Sequence, residues 1–280
     1  MKPKGSKTKA KIQVVENNQI RSRLDYLATE EPLEIRLLPQ RKTLAITMRT
    51  PGNDFELATG FLYSEGIISQ RQDIEQISYC VEGDSEQLYN IVNVTLKPEL
   101  NLDLPVLERH FFTNSACGVC GKASIEYLKN RAVIIDNSAQ VLADLIYGLP
   151  DKLRLAQGIF NTTGGLHAAA LFNLEGELIK VREDVGRHNA LDKLIGSTFL
   201  ANELPLNNHL ILVSGRSSFE ILQKCIMAGV PIVCAVSAPS SLAVSLAEEF
   251  GITLIGFLRD RKFNVYSGKK RILASLSISF

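Results

Sequence analysis

Two cysteines three positions apart, Cys117-Gly-Val-Cys120, stand in a run of small residues, Phe111-Phe-Thr-Asn-Ser-Ala-Cys-Gly-Val-Cys-Gly-Lys122. Cys-x-x-Cys spacing lets two thiols meet each other, or one metal. A helix starting just after Gly121 would set its N-terminal dipole, with Lys122, beside the thiols and raise their thiolate fraction. Gly118 and Gly121 give a backbone mobile enough to carry a thiol between two partners. Three chemistries compete. Half a zinc site needs a second Cys-x-x-Cys, and the chain has none; Cys225 and Cys234 lie nine apart in apolar segments and read as core residues, and Cys80 reads as an ordinary packed or partly exposed thiol. No metal site is expected. A dithiol redox centre would lack the aromatic-Cys-x-Pro-Cys context of thioredoxins. A nucleophilic or persulfide-carrying cysteine is the third reading. Spacing alone ranks zinc lowest and leaves the other two level.

A second set of residues gathers where parallel strands are expected to end. Ser214-Gly-Arg-Ser-Ser218 and Ser237-Ala-Pro-Ser-Ser241 each follow an apolar strand and open a helix, and Gly256-Phe-Leu-Arg-Asp-Arg261 follows a third strand as a loop. Helix starts with free N–H groups, serine hydroxyls and glycine bind anions, and ligands of open α/β sheets bind at the carboxyl edge. Arg216, Arg259 and Arg261 can neutralise phosphate, and Phe257 can stack on a base. Serine is also a common helix cap, so one such loop alone carries little. Three on one edge point to a phosphorylated, base-bearing ligand. No Walker A or G-x-G-x-x-G run is present, which disfavours ordinary NTPase and dinucleotide sites.

A third cluster, Arg182-Glu-Asp-Val-Gly-Arg-His-Asn-Ala190, packs charge at a strand-to-helix junction. Burying those groups uncompensated is costly, which suggests a site; pairing of Glu183, Asp184, Arg187 and His188 among themselves explains the cluster equally well. His167 fits a satisfied core histidine as well as a catalytic one.

The elements that must hold these groups follow from the hydropathy pattern. Leu33, Ile35, Leu37 and then Leu44, Ile46, Met48 alternate with polar residues, a two-strand reading with a turn at Pro39-Gln-Arg-Lys42. Asn53 or Asp54 caps a helix ending near Gly66, and 74–79 and 89–96 are strand-like. Residues 139–147 and 151–160 read as helices. Beyond 166 the order is hairpin (167–172, 178–182), helix 189–199, strand 209–214, helix 218–228, strand 232–237, helix 240–250, strand 252–257. The unbroken apolar runs Leu210-Ile-Leu-Val213 and Ile232-Val-Cys-Ala-Val236 suit strands covered on both faces. The expected class is α/β: a C-terminal mixed, largely parallel sheet with helices on both faces, residues 139–280, beside a smaller α+β domain, 19–138, that carries the cysteine loop. Residues 1–18 read as a flexible basic tail.

Composition bounds the rest. A chain of 280 residues with 45% apolar and 22% charged residues is globular and long enough for a core without disulfides. A net charge of +1 excludes a generic polyanion binder, so no nucleic acid is expected. No run approaches the ~18 apolar residues of a membrane span, and the basic start leads into no apolar stretch, so neither membrane nor export is expected. Five cysteines without an export signal read as a reducing, cytoplasmic setting.

Taken together, Asn114–Lys122, Gly164-Gly-Leu-His-Ala-Ala169, Arg182–Lys193, Ser214-Gly-Arg-Ser-Ser-Phe-Glu220 and Ser237–Ser241, with Arg49-Thr-Pro-Gly52 and Glu56–Gly66, resemble the formate dehydrogenase accessory sulfurtransferase (FdhD) family, in order from about residue 30 to 266. The resemblance implies a cytidine-deaminase-like fold for the C-terminal domain and a cytoplasmic homodimer. It implies that a cysteine desulfurase hands sulfur to the Cys loop as a persulfide, and that the sulfur passes to the molybdenum cofactor in its bis(guanine dinucleotide) form, activating formate dehydrogenase. By position, Cys117 bears the persulfide and Cys120 is its companion. Phe257, Leu258, Arg259, Asp260, Arg261 and Lys262 align with the cofactor-binding loop. Ser214, Gly215, Arg216, Ser217, Ser237 and Ser240 are the expected phosphate contacts. A deaminase would need a His-x-Glu at one helix start and Pro-Cys-x-x-Cys at the next; here those starts carry His188-Asn-Ala190 and Gly215-Arg-Ser-Ser218, so zinc hydrolysis is disfavoured. Two other readings stand beside this one: a non-catalytic molybdenum-cofactor-binding chaperone, and a dithiol oxidoreductase cycling Cys117 and Cys120.

Overall fold

The computed structural model describes residues 5–81, 89–100, 126, 128–129, 131–135 and 138–274. Cys117 and Cys120 lie outside the described residues.

The first half builds two sheets. Strands β1 (Lys7–Glu16) and β2 (Gln19–Ala28) form an antiparallel hairpin. This replaces the flexible tail expected to residue 18. Its turn is Asn17-Asn18, both at positive φ (49° and 63°), the twist that a two-residue hairpin demands. β3 (Glu31–Leu38), β4 (Lys42–Arg49), β5 (Ile74–Tyr79) and β6 (Ile91–Leu96) make a four-stranded sheet in the order β4-β3-β6-β5. Leu33, Ile35 and Leu37 face helix α1 (Asp54–Ser64), whose Leu57, Ala58 and Leu62 complete that core. Asn53 precedes α1 in the left-handed conformation and gives it no side-chain cap.

The second half is a six-stranded sheet, β13-β12-β11-β10-β8-β9. β8 (His167–Asn173) and β9 (Leu178–Asp184) form the expected hairpin; α5 (Arg187–Leu200) leads to β10 (His209–Val213), α6 (Phe219–Met227) to β11 (Ile232–Ala235), and α7 (Ser241–Glu249) to β12 (Thr253–Arg259). β10, β11 and β12 run parallel. Along β10, Ile211 and Val213 face a core shared with α5, α6 and α7, while Leu210 and Leu212 face the opposite core. Two buried faces explain the unbroken apolar runs. The second core is covered by α2 (Ala143–Tyr147) and α3 (Leu149–Ala156), with α4 (Phe160–Thr163) beyond.

The helices here begin and end differently from expectation. Val141-Leu142 is a short strand, β7, paired in parallel with β14 (Ile272–Leu273), so a tertiary partner takes the start of the expected 139–147 helix. Pro150 in the first turn fits α3 beginning at Leu149 rather than Asp151. The 256–261 segment, expected as a loop, is strand: β12 runs to Arg259, turns at Asp260-Arg261 (φ 52° and 53°), and returns as antiparallel β13 (Lys262–Ser267).

Candidate functional site at the sheet edge

The carboxyl ends of β10, β11 and β12 form one continuous rim. Ser217 and Pro239 bridge the two serine loops: Ser217 N–H donates to the Ala238 carbonyl (3.3 Å), and Ser240 N–H donates to the Ser217 carbonyl (2.9 Å). Phe257 N–H donates to the Ser237 carbonyl (3.2 Å), which ties the third strand to the second loop. Gly256 permits this closure. A Cβ there would sit 3.0 Å from the Pro239 ring and 3.0 Å from Tyr266.

The expected contact residues are therefore brought together in part. Arg216, Ser240 and Phe257 are exposed on the rim, and Ser214 and Ser237 are half-buried. Gly215 and Ser217 are buried, and the Ser217 hydroxyl is sealed from solvent without a partner. The Ser240 hydroxyl accepts from Ala243 N–H (3.3 Å) and so caps α7. Leu258 corrects the expectation outright: at 1% exposure its side chain belongs to the core with Cys234 and Ile255 and offers no surface to a ligand. Arg259, Asp260, Arg261 and Lys262 are exposed at the β12–β13 tip, where Arg261 lies over the Tyr147 ring at 5.3 Å.

The 182–193 cluster divides into two jobs. Most of it zips the halves of the molecule together. Asp184 pairs with Lys193 at 2.6 Å, both buried, and accepts from Thr50 N–H (3.1 Å), while Lys193 donates to the Thr50 carbonyl (2.8 Å). Asn189 donates to the Met48 carbonyl (2.7 Å), Arg182 makes a two-pronged pair with Glu56, and Glu183 accepts from the N–H groups of Ile159 and Phe160. Asp184 is satisfied from within the cluster, by Lys193 and by the Asn189 amide and the Gly186 N–H, while Arg182 and Glu183 take their partners from other segments.

Arg187 and His188 do something else. They open α5 beside the Ser214–Ser218 loop. His188 Nε2 lies 3.4 Å from the Ser218 hydroxyl, which donates to Glu220 at 2.6 Å. His167 Nδ1 lies 3.4 Å from the Ser214 hydroxyl, itself accepting from Ala168 N–H. Burial and then the Arg187 charge push His188 down to about 4, against an upward pull from Glu220. The same two causes lower His167. Both imidazoles are thus neutral at neutral pH, and Arg187 carries the local positive charge. The sequence flagged this group by its density of polar residues, but pattern alone cannot separate the zipper residues from those facing the rim.

The described thiols are ill suited to sulfur chemistry. Burial pushes both Cys225 and Cys234 up to about 12, in helix α6 and strand β11 respectively. Cys80 is half-buried at the end of β5. Among the described residues no group of three or more His, Cys, Asp or Glu is placed to hold a metal, and no helix is long and apolar enough to cross a membrane.

A mixed sheet with helices on both faces and a polar rim at the ends of its parallel strands defines an α/β protein. Residues 28–273 match the FdhD/NarQ family, and the chain belongs to it. It is 51% identical over 267 residues to the sulfur carrier protein FdhD of Streptomyces avermitilis, covering 94% of each chain. It is 49% identical over 262 residues to that of Mycobacterium tuberculosis (91% of this chain, 94% of the relative). The sulfur carrier protein FdhD of Sulfurisphaera tokodaii is 50% identical over 250 residues, 89% and 92% of the two chains. The crystal structure of a formate dehydrogenase accessory protein from Desulfotalea psychrophila superposes with a TM-score of 0.73 at 25% identity, covering 95% of this chain and 99% of that one.

Proposed function

We propose that the protein is a sulfur carrier serving formate dehydrogenase, with Cys117 as the residue that bears the sulfur and Cys120 as its companion. The observation that carries this reading is the pairing of the Cys117-Gly-Val-Cys120 loop with close likeness to proteins named sulfur carriers. The inert state of Cys225 and Cys234 supports it by removing two of the three remaining thiols.

The donor is a cysteine desulfurase. The Cys117 thiolate attacks the outer sulfur of the donor's persulfide; one S–S bond forms, the donor's S–S bond breaks, and the donor thiolate leaves, with no net oxidation. The acceptor is the molybdenum cofactor carrying guanine nucleotide arms, a substrate held along the rim. Its phosphates lie on the helix starts next to Ser214–Ser218, and its base stacks on Phe257, which is exposed and held at a positive φ of 54° by the bulge in β12. Cys117 stands nine positions before Glu126, where the described chain resumes, a reach of at most about 30 Å. The working form is a cytoplasmic homodimer.

The test is activation of formate dehydrogenase in cells lacking the endogenous carrier. Cys117→Ser abolishes activation while the purified variant melts like the parent. Full activation by Cys117→Ser would instead favour the chaperone reading, in which the protein only holds the cofactor.

A further inference from the structure

Arg187 is a half-buried cation that makes no direct ion pair among the described residues. Its Nε is cut off from solvent and meets no acceptor, and its guanidinium makes no hydrogen bond or ion pair among the described residues. The other partly or fully buried arginines that are described all have acceptors. Arg36 donates to Glu34, Arg49 to Asp54, Arg182 to Glu56, Arg71 to the Ile74 carbonyl, and Arg271 to the carbonyls of Gly251 and Ile135. Of the nearby carboxylates, Asp184 is committed to Lys193 and Glu183 to the N–H groups of Ile159 and Phe160; Glu220, which accepts from Ser218, feels the Arg187 charge across space but makes no ion pair with it. A desolvated, unpaired charge is costly to hold, and a fold keeps one where a ligand supplies the opposite charge.

The surroundings agree. A Cβ on Gly215 would lie 3.4 Å from both Arg187 Cδ and His167 Nδ1, so these groups crowd around the loop that follows β10. Neither the Gly186 cap of α5 nor the Ser218 cap of α6 spends a side chain on its own helix start. The neighbouring loop differs: Ser240 caps α7, and the backbone of Ser217 is tied to residues 238 and 240.

We propose that Arg187 is the residue that grips phosphate on this rim, taking the pyrophosphate of a nucleotide-bearing ligand between the starts of α5 and α6. This rests on the nucleotide part of the reading above and moves the anion contact from Arg216, which is exposed, to Arg187. The planar guanidinium suits two phosphate oxygens at once. His167 and His188, kept neutral beside it, add no charge of their own.

The test is binding of GDP, ADP, guanosine and inorganic pyrophosphate to the full chain by calorimetry, for the parent, Arg187→Gln and Arg187→Lys. Arg187→Gln weakens GDP and pyrophosphate at least tenfold and leaves guanosine unchanged; Arg187→Lys recovers part of the loss. Histidine NMR gives a readout that a purely structural role would not move: pyrophosphate shifts the titrations of His167 and His188 to higher pH in the parent and leaves them in place in Arg187→Gln. Unchanged GDP and pyrophosphate binding in both variants overturns the assignment, as does a parent that binds neither. If pyrophosphate binds through Arg187 while GDP binds no better than ADP, the guanine reading fails and the Arg187 assignment stands.

Discussion

Gly60 of α1 and Gly196 of α5 bring two helix backbones into direct contact. A Cβ on Gly60 would sit 1.9 Å from the Asp192 carbonyl oxygen, and one on Gly196 would sit 1.8 Å from the Glu56 carbonyl oxygen. The atoms met are backbone and cannot swing aside, so any side chain forces the helices apart. Through this crossing the N-terminal core reaches the C-terminal half, where Phe199 of α5 packs into it. Gly196→Ala therefore destabilises by about 3 kcal/mol or more, the upper range of overpacking. Urea unfolding followed by circular dichroism measures it; a loss under about 1 kcal/mol would mean the crossing tolerates separation.

The buried Asp184–Lys193 pair makes a second prediction. Lys193→Met leaves a carboxylate buried beside Thr50 with its cation gone, which costs about 3–5 kcal/mol. The double variant Asp184→Leu/Lys193→Met recovers part of that loss, and a double-mutant cycle reads the coupling. Additive losses would show that the two charges do not depend on each other.

The rim histidine gives a pH prediction. His188 is depressed in the folded protein, so between its ordinary value of 6.5 and about 4 the unfolded chain binds a proton that the folded one refuses. Stability contributed by His188 is present above that window and is lost as pH falls through it. His188→Gln accordingly loses less stability than the parent between pH 7 and pH 5 in urea titrations. Parallel losses in the two proteins would place the His188 titration at its ordinary value.

Thiol reactivity separates the cysteines. In the native protein at pH 7.5, iodoacetamide leaves Cys225 and Cys234 unmodified, and both react once the chain is unfolded, as mapped by peptide mass spectrometry. Fast labelling of either in the native state would contradict their sealed positions.

Legibility from sequence followed the physics of each segment. β10 and β11 announced themselves because both faces are buried and nothing polar interrupts Leu210–Val213 or Ile232–Ala235. The β1–β2 hairpin does carry strand signals, Ala10, Ile12 and Val14 alternating with polar residues before the Asn17-Asn18 turn, but the lysines and the solvent-exposed ribbon make the segment read as a polar tail. The start of 139–147 was lost to a partner, Ile272-Leu273, that lies far away in sequence. The charged Phe257–Lys262 segment reads as a loop because its polar residues mask strand alternation, whereas the chain pairs there as the β12–β13 hairpin and turns Leu258 into the core between exposed neighbours. Arg187 was visible only as one charge among many; what singles it out is the missing acceptor, which is a property of packing.

The most direct test of sulfur carriage is the mass of the intact protein after incubation with a cysteine desulfurase and cysteine, followed by peptide mapping without reductant. The account predicts one added sulfur atom, located on Cys117 and absent from Cys117→Ser. An unchanged mass, or sulfur found on Cys80 with Cys117 bare, would contradict it.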